Sequence, residues 1–222
     1  MDLEGISLGV LIRRVVGRRF WLRSLPNLFH DLRRGAYLGG SGSSRPRQPG
    51  AYRAQSADYA DLSVLFSSGD LRVRPDDVLV DVGCGRGRVL NWWLDHGVRV
   101  PIVGIEIDAE IAHQTRRRLA SAPNVTILTG DAVDLLPPNG TLVYLYNPFD
   151  QRTMRRFEAR LSARGRVSDR LRIVYYNALH ADVFRWSGRW TVTPMHAGLP
   201  YPAVVIRPAP ASTPGPSLAP HD

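Results

Sequence analysis

Residues 78–90 read Val-Leu-Val-Asp-Val-Gly-Cys-Gly-Arg-Gly-Arg-Val-Leu, and the architecture of the chain follows from this stretch. Its first half is a continuous apolar, β-branched run, which is typical of a buried parallel strand. Its second half is a glycine-rich turn that leads into the amphipathic stretch Val89 to Leu94. Glycines let a backbone take positive φ and approach a ligand, and the N–H groups of the following helix point toward that ligand. The stretch therefore predicts a strand, a tight turn and a helix that bind a small polar molecule.

The spacing of the glycines narrows the class of ligand. A dinucleotide fingerprint has the form Gly-x-Gly-x-x-Gly, but here the third glycine comes one residue early. A carboxylate also stands just before the turn, where it suits a ligand with an ammonium and a sulfonium group and would repel a pyrophosphate. The segment resembles motif I of the class I S-adenosylmethionine-dependent methyltransferases, and a nucleotide-binding turn of another kind is the alternative. The resemblance implies that the cofactor is S-adenosylmethionine, bound by Asp81, Gly83, Cys84, Gly85 and Gly87.

Two acidic strand ends further along the chain extend the resemblance. The apolar stretch from Pro101 to Ile107 contains Glu106, roughly 20 residues after the glycine turn, where an acid binds the ribose diol in folds of this type. A third short strand runs into a Gly-Asp-Ala segment that is similar to one in the family. The resemblance implies that Glu106 and Ile107 bind the cofactor, and that Asp131 and Ala132 make hydrogen bonds to its adenine.

Composition limits the function classes further. A chain of 222 residues can bury one large core as a single domain with extensions. The formal charge is +9 and all 29 basic residues are arginines, a bias that a GC-rich coding sequence produces without functional pressure. Residues 1–53 hold ten arginines and three acidic residues, so +7 of the charge lies near the N-terminus. The single cysteine, Cys84, cannot form an intrachain disulfide, and we expect a reducing, cytoplasmic location.

Composition along the chain predicts three parts. Residues 1–50 form a basic helical extension that ends in a Gly-, Ser-, Pro- and Arg-rich linker, residues 51–206 form the S-adenosylmethionine-binding domain, and residues 207–222 form a disordered Pro-rich tail. The apolar run from Leu8 to Ile12 is too short to span a bilayer. The extension either covers the core and caps the substrate cleft, or contacts an anionic partner, which is a membrane surface or a nucleic acid.

From Val78 onward strands and helices alternate, which predicts a parallel sheet with right-handed crossovers. The last two predicted strands lie close together and form an antiparallel hairpin. We therefore expect an α/β fold with a doubly wound, mostly parallel, seven-stranded sheet, as the resemblance implies. The expected strands are 78–82, 101–107, 124–128, 141–147, 171–177, 190–195 and 203–206. The expected helices are 52–66, 87–95, 109–121, 151–163 and a short element at 133–136.

The fourth predicted strand ends in Asn147-Pro148-Phe149-Asp150, beside the glycine turn and at the edge where open α/β sheets bind ligands. This segment resembles a shortened Asn/Asp-Pro-Pro-Tyr/Phe motif of amino-methylating enzymes, with one proline missing. The resemblance implies that Asn147 orients the acceptor nitrogen and also contacts the cofactor, that Pro148 fixes the turn and that Phe149 contacts the substrate, with N-methylation slightly preferred. Because alternate strand positions face opposite sides, Tyr146 is the alternative residue that faces the cleft.

Three functions stay open at this point. The first is methyl transfer to an undetermined acceptor, with His180 as a candidate general base. The second is a non-catalytic regulatory or scaffold protein that binds S-adenosylmethionine. The third is an aminopropyltransferase-like enzyme, although the segment after the fourth strand is basic (Arg152, Arg155, Arg156), whereas a polyamine requires acidic residues. No group of cysteines, histidines and carboxylates has metal-ligand spacing, so no metal is expected.

Overall fold

The computed structural model describes residues 25–39, 56–163, 169–195 and 198–210. Its strands are β1 (Leu79–Val82), β2 (Ile102–Glu106), β3 (Val125–Thr129), β4 (Leu142–Tyr146), β5 (Arg172–Tyr176), β6 (Trp190–Pro194) and β7 (Ala203–Pro208). Its helices are α1 (25–33), α2 (Tyr59–Leu65), α3 (Arg88–Asp95), α4 (Ala109–Arg118), α5 (Ala132–Leu135), α6 (Gln151–Ser162) and α7 (Asp182–Trp186). None of the helices in these ranges is long and apolar enough to cross a membrane.

The strands form one sheet in the order β3-β2-β1-β4-β5-β7-β6. Neighbours from β3 to β5 are parallel, and β7 runs antiparallel to both β5 and β6. The chain moves outward from β1 to β3 and then returns to place β4 on the other side of β1. The strand order thus reverses between β1 and β4, which is where open α/β sheets bind ligands. The predicted doubly wound sheet with an antiparallel end is confirmed.

Buried side chains lie on both faces of the sheet. In β1, Leu79 belongs to the cluster that holds Leu62 of α2 and Trp93 of α3. Its neighbour Val80 belongs to the opposite cluster, which holds Phe157 of α6. A strand that is buried on both faces is apolar at most positions, and this is why the sequence marks the central strands so clearly.

A buried ion pair ties the strands together at their amino ends. Arg172 Nη2 lies 2.6 Å from Asp77 Oδ2, and both side chains are buried. Asp77 also accepts hydrogen bonds from the Arg74 backbone N–H and the Thr141 hydroxyl, each at 2.7 Å. Burial raises the pKa of Asp77, but these hydrogen bonds and the charge of Arg172 outweigh it and hold the pKa below its ordinary value. The pair lies at the edge of the sheet opposite the glycine loop.

Two helices differ from the sequence-based expectation. Helix α2 begins at Tyr59, because Asp58 is extended with φ −74° and ψ 143°; residues 56–58 are therefore not helical, and residues 51–55 lie outside the described ranges. Helix α7 was not expected, since its five residues are too short to show a period. The predicted linker, 39–50, lies outside the described residues except for Gly39. The predicted disordered tail, 207–222, begins too early, because β7 continues to Pro208; residues 211–222 lie outside the described residues. Helix α1 and residues 34–39 pack against the domain through buried contacts described below.

Candidate functional site

The glycine loop between β1 and α3 is left-handed at each of its glycines. Gly83, Gly85 and Gly87 have φ of 76°, 52° and 75°, a region that side chains other than glycine rarely adopt. The backbone N–H groups of Gly83 and Cys84 both donate to the carbonyl of Ile105, at 2.8 and 2.9 Å. The predicted tight turn is therefore present, and it is fixed to the end of β2.

Helix α4 holds the same loop through two side-chain hydrogen bonds. Thr115 Oγ1 donates to the Gly85 carbonyl at 2.9 Å, and the Arg118 guanidinium donates to the Arg86 carbonyl. A Cβ atom at Gly87 would lie 3.1 Å from Thr115 Cγ2, so a larger residue here would crowd Thr115 as well as adopt an unfavourable φ. These contacts keep the loop backbone in one conformation beside the strand ends.

A fourth glycine, Gly104 in β2, leaves the space that the loop occupies, but it was not singled out from the sequence. A Cβ atom at this position would lie 2.8 Å from the Cys84 sulfur and 2.9 Å from Ile127 Cδ1. Cys84 is buried in that space, which fits a packing role. A single glycine within a strand is a recognised signal for close approach, and it is the signal that the sequence offered here.

Asp81 lies at the centre of the site with an unsatisfied oxygen. The side chain is buried, and its Oδ2 has no hydrogen-bond partner among the described residues. Burial, helped by the nearby charge of Glu106, raises its pKa to about 8. Asp81 lines a small cavity together with Gly83, Gly85 and Tyr146. A buried carboxylate beside a cavity favours a cationic ligand, which would supply the missing partner.

Glu106, at the end of β2, contacts the glycine loop. Its Oε2 accepts the Gly85 N–H at 2.8 Å and its Oε1 accepts the Asp108 N–H at 2.9 Å. Burial raises the pKa of Glu106, and the two N–H donors oppose that rise. The next residue, Ile107, is 37% exposed and presents an apolar side chain at the strand end. The carboxylate of Glu106 and the apolar side chain of Ile107 thus lie next to each other at the edge of the sheet.

Asp131 is the N-cap residue of the short helix α5, which follows β3. Its Oδ1 accepts the Val133 N–H at 2.9 Å, and its Oδ2 lies 3.6 Å from Arg156 Nη1. Ala132 is the first residue of α5 and is buried. The adenine contacts expected of Asp131 and Ala132 stay predictions.

Asn147 follows β4 in a left-handed conformation with φ 40°. Its N–H donates to the Tyr176 carbonyl at 3.1 Å, and its Oδ1 accepts from the Tyr175 hydroxyl at 3.2 Å. A Cβ atom at Gly83 would lie 3.6 Å from Pro148 Cβ, so the Asn-Pro turn adjoins the glycine loop as expected. Tyr175 holds the side chain of Asn147, and nothing in its sequence context singled it out.

Phe149, which is expected to contact the substrate, lies in the core. Phe149 is buried in the core cluster of α6, with its ring centroid 5.5 Å from that of Phe157. Phe149 therefore has a packing role here, and the substrate contact expected of it stays a prediction. The alternative, Tyr146, does line the cavity beside Asp81. Its ring lies 4.7 Å from that of Tyr176 and 6.3 Å from that of Tyr201, which gives the cleft an aromatic wall.

His180 shares a partner with Asn147. Its backbone N–H donates to the Tyr175 hydroxyl at 3.3 Å, so one tyrosine bridges the segments that follow β4 and β5. The structure brings His180 to the same edge of the sheet as Asn147. Its role as a base stays a prediction.

Two cavities differ in position as well as size. The cavity beside Asp81 and the glycine loop has a volume of about 40 Å³. A larger one, of about 840 Å³, opens between α1, α2 and α3 and is lined by no strand residue. We place the functional site at the smaller cavity, because it lies at the strand ends and contains the unsatisfied carboxylate. Within the described ranges no cluster of three or more His, Cys, Asp or Glu could hold a metal ion.

The sequence also matches known proteins. Residues 79–164 match the methyltransferase domain family. The probable cobalt-precorrin-6B C(15)-methyltransferase (decarboxylating) of Archaeoglobus fulgidus is 37% identical over 75 residues, which are 34% of this chain and 42% of that protein. The match therefore spans less than half the length of this curated relative.

Solved structures share the fold. The pyocyanin biosynthetic protein PhzM has a TM-score of 0.54 at 17% identity, over 68% of this chain and 55% of that one. An RNA methyltransferase of Salinibacter ruber, in complex with S-adenosyl-L-homocysteine, has a TM-score of 0.52 at 22% identity, over 72% of this chain and 97% of that one. Residues 79–164 are thus similar to the methyltransferase domain family, and the sheet of the chain has the fold of class I S-adenosylmethionine-dependent methyltransferases.

Proposed function

We propose that the chain binds S-adenosylmethionine across the ends of β1 and β2 and transfers its methyl group to an acceptor, with nitrogen preferred as the accepting atom. The observation that carries this proposal is the buried, unpartnered Oδ2 of Asp81 in the cavity beside the glycine loop. The amino-acid end of S-adenosylmethionine carries an ammonium group, which would partner that oxygen and favour its ionised form.

The rest of the site fits the rest of the cofactor. Pockets that hold a whole small-molecule ligand have volumes of about 300 Å³ or more. The 40 Å³ cavity is too small for the whole cofactor, so we propose that it receives the amino-acid end and that the nucleoside lies over the open strand ends. Glu106 accepts two backbone N–H groups, and a carboxylate can take about four hydrogen bonds, which leaves capacity for ribose hydroxyls. Ile107 offers an exposed apolar surface to the adenine. We propose that Asp131 and Ala132 contact the adenine on the side away from Ile107.

The cofactor's sulfonium supplies an activated methyl group, so the protein has to position the acceptor and exclude water more than it has to supply acid or base. Asn147 is held by Tyr175 and offers its amide oxygen to an acceptor N–H. Tyr146 and Tyr201 provide apolar ring surface beside the cofactor cavity. We propose His180, at the same edge, as the group that takes the acceptor's proton.

The preference for nitrogen depends on Asn147. The relatives do not supply it, since one is named as a C-methyltransferase and another as an RNA methyltransferase. Methyl transfer is favoured over a purely regulatory role because the described Asn-Pro turn adjoins the glycine loop. It is favoured over aminopropyl transfer because the family match is to a methyltransferase domain.

The first test is calorimetric titration of S-adenosylmethionine and S-adenosylhomocysteine into the wild-type protein and into Asp81→Ala and Glu106→Ala. We expect both substitutions to weaken binding by about tenfold or more, which corresponds to about 1.4 kcal/mol. Asp182→Ala is the matched control, because Asp182 is an exposed carboxylate on α7 that pairs with Arg185. Failure of the folded wild-type protein to bind either compound would contradict the proposal.

The second test addresses the acceptor. Radiolabelled S-adenosylmethionine is incubated with lysine-containing peptides, small amines, phenols and carboxylic acids. For the acceptor that is labelled, Asn147→Ala and Tyr175→Phe should lower kcat while leaving the cofactor affinity within about threefold, because both act on the acceptor side. Labelling of oxygen or carbon acceptors alone would reject the preference for nitrogen.

We also propose a cytoplasmic location, supported by the single unpaired Cys84. The anionic partner predicted for the Arg-rich N-terminal segment stays a proposal as well. Its described support is the exposed, apolar side of α1, where Leu25, Phe29 and Leu32 are more than half exposed, next to Arg33.

A further inference from the structure

A buried carboxylate connects the N-terminal extension to the glycine loop. Asp31 on α1 has no exposed surface, and its Oδ2 lies 2.6 Å from Arg88 Nη2. Its Oδ1 accepts from Arg88 Nε at 3.2 Å, so the two side chains meet in a two-pronged contact. Arg88 is the first residue of α3, directly after Gly87. The ion pair thus joins residues that are 57 positions apart in the chain.

The same carboxylate also holds the backbone that follows α1. Its Oδ2 accepts the N–H groups of Leu38 and Gly39, at 3.0 and 3.1 Å. Its Oδ1 accepts the Tyr59 hydroxyl at 3.0 Å. A Cβ atom at Gly39 would lie 2.7 Å from Arg88 Nη2, so the chain passes directly against the guanidinium. Asp31 therefore fixes the path of residues 38–39.

These residues reach the cofactor cavity. Leu38, Ser56 and Ala57 line the same small cavity as Asp81 and the glycine loop. The Ser56 hydroxyl donates to the Leu38 carbonyl at 2.9 Å, and Arg88 Nη1 donates to the Ala57 carbonyl at 3.0 Å. The wall of the cavity opposite the sheet is thus built from the N-terminal side of the chain and is tied to Arg88.

We infer that Asp31 is a positioning residue for the cofactor site: through Arg88 and residues 38–39 it builds the wall that encloses the amino-acid end of the cofactor. This inference rests on the proposed function. The N-terminal extension is then part of the binding site. The selectivity that the wall provides is for a zwitterionic amino-acid group, since the nucleoside lies at the open strand ends.

The test compares two ligands that differ only at this end. S-adenosylhomocysteine carries the amino-acid group, whereas 5′-methylthioadenosine has the same nucleoside and thioether but lacks that group. In Asp31→Asn we expect the Kd of S-adenosylhomocysteine to rise about tenfold, or about 1.4 kcal/mol, and the Kd of methylthioadenosine to stay within about threefold. The conservative variant Asp31→Glu should restore part of the difference.

Asp77→Asn is the matched control. It makes the same chemical change in the other buried ion pair, at the opposite edge of the sheet. A purely structural effect would lower affinity for both ligands in both variants, and equal losses in Asp31→Asn would overturn the inference. An unchanged ratio of the two Kd values in folded Asp31→Asn would overturn it too.

A second variant covers the case in which Asp31→Asn does not fold. Leu38→Ala keeps the ion pair and removes only the side chain that lines the cavity, and we expect it to weaken S-adenosylhomocysteine more than methylthioadenosine. Equal effects would contradict the inference. A wild-type protein that binds neither ligand would contradict the proposed function itself, so the two failures are distinguishable.

Discussion

The burial of Asp81 makes its ionisation unfavourable in the ligand-free protein, and the proposed cationic ligand would reverse this. Its pKa of about 8 means that the buried side chain is mostly protonated at neutral pH. A cationic ligand favours the ionised form, so binding should release a proton below pH 8. We expect the affinity for S-adenosylmethionine to rise between pH 6 and pH 8, by up to about tenfold per pH unit, and to level off above.

Titration calorimetry across this pH range, in buffers of different ionisation enthalpy, checks this expectation. Asp81→Asn should abolish the proton release as well as weaken binding. A wild-type affinity that is independent of pH would show that the carboxylate does not change its protonation on binding.

The raised pKa of Asp81 also predicts how stability depends on pH: the ligand-free protein should become less stable as pH rises, whereas the affinity for the ligand rises. Its pKa in the folded protein lies above the unfolded value of about 4, so the folded state holds an extra proton between pH 4 and pH 8. The free energy of unfolding therefore falls as pH rises through that window. Asp81→Asn should gain stability relative to the wild type from pH 5 to pH 8, by at most about 1.4 kcal/mol per pH unit. Urea unfolding without ligand measures it, and a constant difference would contradict it.

At the scale of elements, the glycine loop allows a matched pair of substitutions. Gly87 and Gly97 have nearly equal φ, 75° and 74°, but a Cβ atom would be crowded only at Gly87. Both alanine variants incur backbone strain of about 1–2 kcal/mol. Gly87→Ala should lose about 1 kcal/mol more through overpacking against Thr115.

Urea unfolding measures the difference between the two variants. Titration with S-adenosylhomocysteine should also show that only Gly87→Ala loses affinity, because Gly97 lies at the far end of α3. Equal losses of stability at both glycines would mean that the packing of α4 against the loop contributes little.

The strands were predictable because each central strand is a short, mainly apolar run, and the observed limits agree with the expected ones within one or two residues. The acids at the ends of β1 and β2 were predictable from their place after such runs. The packing of Phe149 was not, because a ring that follows a strand faces either side until the turn is known. The bond from Tyr175 to Asn147 depends on the pairing of β4 with β5, which the sequence does not state.

At the scale of the whole molecule, the buried ion pair and the proposed binding site lie at opposite edges of the sheet. Asp77 and Arg172 form their buried pair at the amino ends of the strands. Asp77→Asn leaves Arg172 buried without its countercharge, and such changes cost about 3–5 kcal/mol. We expect a lower urea midpoint with unchanged affinity for S-adenosylhomocysteine in the folded fraction. A large loss of affinity would show that the two edges are coupled.

The N-terminal extension and the domain also meet at this scale. Sequence composition marks residues 1–50 as separate, and that boundary stays a prediction. The contact between Asp31 and Arg88 has no sequence signal, because one buried acid and one buried arginine 57 residues apart look like any other charged residues. Only their burial shows that the described part of the extension is integrated into the domain.

The setting of Cys84 gives the molecule a built-in chemical probe. It is the single cysteine of the chain, lies beneath the glycine loop against Gly104 and lines the cavity with Asp81. Burial raises the pKa of its thiol, so alkylation is slow until the loop opens. The rate at which iodoacetamide alkylates this one sulfur, followed by intact-mass spectrometry, therefore measures how often the loop opens. Any ligand that holds the loop closed will lower this rate.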